Sequence, residues 1–152
     1  MDYQVGKIGR VVVARGFEGE DVYARIEALA ARENIDSALV VVIGGLRSAR
    51  VVVGPKSPTG KIEPNYTEFD DARELVGAGT IFRDGGEASL HLHAGIGRGR
   101  EALVGCPRGG AKVFCVLEVV IIEIDGSDAC RRLDAELGLK LLAFGAANLR
   151  KV

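Results

Sequence analysis

The chain of 152 residues holds two histidines, and they stand two positions apart in Ser89-Leu90-His91-Leu92-His93-Ala94-Gly95-Ile96. The segment alternates as a strand does, so His91 and His93 share one face while Leu90, Leu92 and Ile96 share the other. Their Cα atoms are expected roughly 6–7 Å apart, close enough for two imidazoles to converge on one ion. A third ligand must come from a neighbouring strand. Cys106 is the natural choice, because it follows a return connection that could fold back antiparallel and is held at a corner by Gly105 and Pro107. Imidazole nitrogen and thiolate sulfur are ligands that zinc prefers, and three of them leave one tetrahedral position open. The competing reading is a polar corner in which the histidines hydrogen-bond and Cys106 is a small buried hydrophobe.

Glu118 is the second residue whose type stands out. It is the only charge between Lys112 and Glu123 in an apolar run, and a buried carboxylate is costly unless it is paired. Two roles are open. It could orient a ligating histidine or act as an acid/base beside a metal, or it could form a salt bridge to Arg10, Arg47 or Arg50. Cys115, in the same apolar run, and Cys130, in a polar tail segment, are read as structural or incidental.

The elements that must position these residues follow from the patterning. Residues 8–15 read as an opening strand, and a helix follows over about 20–34. There Glu20 and Asp21 favour the positive end of the dipole, and Val22, Ile26, Leu29 and Ala30 recur at helical spacing. Residues 38–43 form a short buried strand stopped by Gly44-Gly45, and residues 50–53 begin another. Residues 54–65 are a proline- and glycine-rich loop, 66–69 an edge strand, and 72–82 a bent or bulged strand around Gly77 and Gly79. Asp84-Gly85-Gly86 is the turn into the histidine strand. Residues 97–100 are a polar connection. Residues 111–124, apolar on both faces, read as a buried central strand. A last short strand lies at 137–144. The sum is one α/β (α+β) domain, mostly an antiparallel sheet with one main helix, spanning 1–152 with its core at about 8–144.

Composition narrows the function. The formal net charge is −1, whereas a domain that neutralises DNA phosphates carries a basic excess. Arg98-Gly99-Arg100 resembles the core of an AT-hook, but Glu101 stands where that motif has Pro, and a carboxylate is repelled from the minor groove. Gly95-Ile96-Gly97-Arg98-Gly99 meets neither nucleotide-loop pattern. No apolar run approaches the roughly 18 residues of a membrane span, and the first residues lack the apolar core of a signal peptide. Three widely spaced cysteines argue against a disulfide framework. A cytoplasmic protein is expected.

The ordered set Gly19-Glu20-Asp21, Ile43-Gly44-Gly45-Leu46, Ser89-Leu90-His91-Leu92-His93, Glu118-Val119-Val120-Ile121, Glu123-Ile124-Asp125-Gly126 and Leu137-Gly138-Leu139-Lys140-Leu141-Leu142 resembles the plants-and-prokaryotes-conserved (PPC) domain, stand-alone prokaryotic type. The resemblance spans roughly residues 8–144. It implies a homotrimer, for which residues 113–122 offer more apolar surface than one helix covers. It also implies a metal site on the His-x-His pair, completed in prokaryotic members by a histidine in a Gly-Gly-His-Leu segment. Here that segment reads Val104-Gly105-Cys106-Pro107, so Cys106 replaces the histidine, and a thiolate favours zinc over harder ions. Three functions follow as expectations. The first is a trimeric domain binding zinc through His91, His93 and Cys106. The second is a DNA-associated or regulatory interaction module. The third is a zinc-dependent enzyme with Glu118 as acid/base.

Overall fold

Most of the alternating segments become strands of one mostly antiparallel sheet that closes on itself. The computed structural model describes residues 1–60, 62–146 and 149–152. In order, the elements are β1 (Asp2–Tyr3), β2 (Lys7–Phe17), α1 (Val22–Arg32), β3 (Ser37–Pro55), β4 (Pro64–Phe69), β5 (Arg73–Asp84), β6 (Glu87–Arg98), β7 (Glu101–Asp125), β8 (Cys130–Asp134), β9 (Leu139–Ala143) and β10 (Arg150–Lys151). β3 pairs with both β5 and β7, β6 also pairs with both, and the four strands form a ring. β2 adds to the outer half of β7, and β4 lies at the edge beside β3, as expected. β1 and β10 form a separate ribbon.

The helix forms where polar and apolar residues fit a 3.6 period, and its ends are set by capping. Asp21 accepts the Ala24 amide at 3.0 Å, which satisfies one of the free N–H groups of the first turn. Asn34 takes a positive φ of 53° just past the end, and the chain turns there. Val22, Ile26 and Ala30 are buried in one core cluster with Leu92, Ile96, Ile81 and Ile121 of the sheet, and the helix packs on β6 and β7.

The structure corrects five expectations. Residues 37–55 are one strand, because Gly44 and Gly45 bend the chain without ending it; the register with β7 slips there instead. Within 38–43 only Ala38, Val40 and Val42 are buried, while Leu39, Val41 and Ile43 are exposed. β7 follows the same rule. Val113, Leu117, Val119 and Ile121 are buried and the alternate positions are not, so the central strand has one wet face in the single chain. The bulge expected around Gly77 and Gly79 is absent: β5 pairs with β6 from Glu74 to Asp84 without a slip. Those glycines serve close approach, since a Cβ on Gly79 would meet the His91 carbonyl oxygen at 2.4 Å. The expected 54–65 loop narrows to 56–63, of which Lys61 lies outside the described residues.

β2 is fastened to the end of β7 by charge as well as by pairing. Arg10 donates to Glu123 through Nε at 2.7 Å and Nη2 at 2.8 Å. These hydrogen bonds, with that from the Arg10 amide, lower the Glu123 carboxyl to about 2. A depressed carboxyl stabilises the fold above its unfolded pKa and loses that contribution as pH falls. Wild-type Tm should therefore fall between pH 4.5 and 2, and Glu123→Gln should fall less over the same window. In the core, Ile121→Ala should cost about 2–5 kcal/mol in urea unfolding, because the site is fully enclosed and cannot collapse.

Candidate metal centre

β7 changes neighbours at the residue that matters. Up to Gly105 it pairs with β6, ending at Ala94↔Gly105; from Cys106 onward it pairs with β3, beginning at Val52↔Cys106. The next step of the β6–β7 register would set Cys106 opposite His93, so their side chains lean to the same side of the sheet. Gly105 permits the crossing, because a Cβ there would meet the Val52 carbonyl oxygen at 2.4 Å.

The outcome is a cluster. The ligand atoms of His91, His93 and Cys106 all lie within 4.8 Å of one another. The two Nε2 atoms are 3.1 Å apart, and the rings meet edge to face with centroids 4.9 Å apart. Donors at about 2.0–2.3 Å from a tetrahedral ion lie roughly 3.3–3.8 Å from each other, so small side-chain adjustments would seat one. Cys106 is buried, His91 half-buried and His93 exposed, which leaves an open side. The donor set fits a divalent ion of zinc's character.

Charge and burial around the trio are equally specific. Partial burial, followed by the Arg131, His93 and Arg108 charges, lowers the His91 imidazole to about 4. Arg108 Nε donates to Cys106 Sγ at 3.2 Å. Tyr23, on α1, places its hydroxyl 3.7 Å from Sγ and 3.5 Å from the Leu92 carbonyl oxygen, filling the gap where β6 and β7 part. Burial and the neighbouring thiol raise the Tyr23 phenol above its usual value. Arg131, on β8, donates to Thr80 Oγ1 at 2.8 Å, and Thr80 sits opposite His91 across the β5–β6 pair.

Glu118 is placed differently from expectation. It is exposed on the outer face of the sheet, in a row with Arg15, Ile43, Val76 and Gly95. β3 and β5 lie between it and β6 along that row, and its carboxylate is not among the ligand atoms that meet at the trio. The arginines considered as its partners are engaged elsewhere: Arg10 with Glu123, Arg47 with Glu18 and Arg50 with Glu68. Strand alternation explains this. Glu118 is flanked by Leu117 and Val119, which take the core side and turn it to the wet one. Cys115 is also exposed, at a bulge with φ of 61°, and its amide donates to Glu18.

Tyr23, Thr80, Arg108 and Arg131 were not among the expected site residues. Arg108 had a readable signal, since it is two positions from Cys106 and shares its strand face. Tyr23, Thr80 and Arg131 come from distant segments, and only the closed sheet brings them in.

Residues 3–125 match the family model described as the Plants and Prokaryotes Conserved (PCC) domain. No curated protein matches the chain. Among solved structures, a metal-containing protein of Archaeoglobus fulgidus superposes with a TM-score of 0.83 at 23% identity, over 94% of this chain and 99% of that one. A plant- and prokaryote-conserved protein of Pyrococcus horikoshii gives 0.80 at 25% identity, over 91% and 94%. A proposed DNA-binding protein of Ralstonia eutropha gives 0.73 at 21%, over 88% and 90%.

A His91 held neutral has a measurable consequence in the metal-free chain. Between about pH 6.5 and 4 the unfolded chain binds a proton that the folded chain does not, so stability should fall as pH drops through that window. The His91 imidazole should titrate by NMR with a midpoint well under 6.5. A midpoint near 6.5 would show that the ring is not shielded as the structure has it.

Proposed function

The chain belongs to the Plants and Prokaryotes Conserved domain family, and we propose that it is a metal-binding member, holding a divalent ion, zinc before others, on His91, His93 and Cys106. The observation that carries this reading is the convergence of two imidazole nitrogens and one sulfur within 4.8 Å. At 23% identity the likeness to the A. fulgidus protein shows the fold alone, so the metal reading rests on this chain's own donors. A thiolate in the set favours zinc over magnesium or calcium, which take oxygen. When bound, such an ion supplies a Lewis-acid centre with one open position. Arg108 fixes the sulfur, Thr80 holds Arg131 beside the trio, and Tyr23 closes the inner side against the core.

A homotrimer, working in the cytoplasm, belongs to the same reading. Val11, Val13 and Phe17 on β2 and Leu39, Val41 and Ile43 on β3 are exposed, and the strand register joins them through β7 into one apolar face. Val13 is 77% exposed in the single chain, which is a large patch for a monomer to leave in water. No described helix is long and apolar enough to cross a membrane. The cysteines are unpaired, which suits a reducing compartment. Glu118 lies on this same face. An acid/base role for it therefore requires that a neighbouring subunit bring it to a trio, and Glu118→Gln should then abolish any hydrolysis without changing metal content.

The alternative is a DNA-associated or regulatory module, which draws on the description of the R. eutropha protein. The net charge of −1 weighs against tight non-specific DNA binding. A gel-shift series in salt separates the two, since the metal reading expects no salt-dependent retardation at micromolar protein.

Metal analysis of protein purified without a nickel column should give about one ion per chain for wild type. It should give much less for His91→Ala/His93→Ala, and intermediate content for Cys106→Ser, which keeps a weaker ligand. Equal content in all would remove the site. Light scattering should give three times the chain mass of 16.1 kDa, and Val13→Asp should dissociate the assembly. A monomeric wild type would remove the trimer and leave the metal site standing.

A further inference from the structure

Two arginines converge on the trio, and neither forms an ion pair among the described residues. Arg108 reaches Cys106 Sγ at 3.2 Å. Arg131 is held by Thr80 at 2.8 Å and lies over the Phe82 ring at 5.1 Å. Both charges act on His91, and each guanidinium is close enough to repel the other: burial and then Arg108 lower Arg131 from its usual value. Carboxylates that might have answered them are committed elsewhere. Asp84, the acid that acts on Arg131, binds Lys140 at 2.5 Å. Arg50 faces Arg108 across the β3–β7 pair and adds a third cation, but its own charge meets Glu68 at 3.3 Å.

The Cys106 thiolate is shared between the ion and Arg108, and Arg131 meets no anion among the described residues. Holding two like charges together beside a partly desolvated imidazole is unfavourable unless a further anion answers them. The guanidinium fork is shaped to take two oxygens of one carboxylate or phosphate. Arg131 is already oriented by a hydroxyl and a ring, so it gives up little freedom on binding. The open side of the trio is the side these arginines flank, since Cys106 and Tyr23 close the inner one.

We propose that the His91–His93–Cys106 centre takes a small oxyanion, a ligand bearing a carboxylate or phosphate group, clamped by Arg108 and Arg131. This rests on the metal reading and names the chemical class of its ligand. Neutral molecules lose the clamp, and cations are in addition repelled by the two charges. Arg108 and Arg131 are thus binding residues for the anion, and Thr80 positions Arg131 for it.

The test uses cobalt(II)-loaded protein, whose visible spectrum reports changes at the ion, with calorimetry in parallel. Inorganic phosphate and acetate are titrated separately, with acetamide, the neutral analogue of acetate, as a comparison. Cobalt uptake should be equal in wild type, Arg131→Gln and the exposed neighbour control Arg132→Gln, and Arg108→Gln, which also loses the contact to Cys106 Sγ, is compared as its cobalt-loaded fraction. Phosphate or acetate should shift the wild-type spectrum, and the tighter of the two identifies the headgroup. Each site variant should bind about tenfold more weakly or worse, the size of losing one charge-assisted contact, while Arg132→Gln is unchanged. Arg131→Lys should recover part of the loss, which a merely misfolded site would not show. Unaltered anion affinity of the cobalt-loaded protein in both variants, or acetamide binding as tightly as acetate, would overturn the oxyanion clamp alone. Failure of wild type to take cobalt would overturn the metal reading and the clamp together.

Discussion

A strand that must serve two neighbours in succession governs this molecule. β7 runs from Glu101 to Asp125, pairing first with β6 and then with β3 and β2. Backbone N–H and C=O groups inside a fold need partners, so the point of exchange has to be narrow and filled. Gly105 supplies the narrowness and the Tyr23 hydroxyl helps fill the gap, accepted at Leu92 and meeting Cys106. The thiol sits at that split because the exchange puts it there, and the histidines meet it because β6 ends its pairing one step earlier. The same crossing closes the ring of β3, β5, β6 and β7. Fold and candidate site are two results of one strand's change of partner.

The histidine strand and its face were legible because a period of two needs no knowledge of the rest of the chain. The helix was legible for the same reason, from its 3.6 period and from Asp21. Cys106 could be placed with them because the connection after His93 is short enough for an antiparallel return. What sequence could not carry was the direction in which Glu118 points. An apolar run on both sides of a carboxylate says that the strand is central, but burial of each face depends on what covers it. In the single chain Glu118, Val11 and Val13 are exposed, and Val120 and Ile122 beside them are only partly covered by the described residues. Val41 and Leu39 mislead in the same way, since an apolar residue facing a missing neighbour reads as core.

Tyr23, Thr80 and Arg131 mark the second limit. Each lies far from residues 91–106 in sequence, on α1, β5 and β8, and reaches the trio only through the closed sheet. Arg131 stands in a charged tail segment that reads as a solvated stretch. Its strand joins β5 through the single parallel pair Arg83↔Cys130, and that pairing delivers its guanidinium to Thr80. Long-range pairing of this kind leaves no periodic trace.

The pairing of β2 with β7 also sets the order in which the chain can be assembled on the ribosome. Lys7 lies opposite Asp125 and Phe17 opposite Val116, so β2, the first long strand made, has no sheet partner until nearly the last of the core has been synthesised. Contacts this distant in sequence are closed late and slow the folding of β-rich domains. Val11, Val13 and Phe17 therefore wait in the nascent chain as an unpaired apolar edge, the kind of segment that sticks to its neighbours before it finds its place.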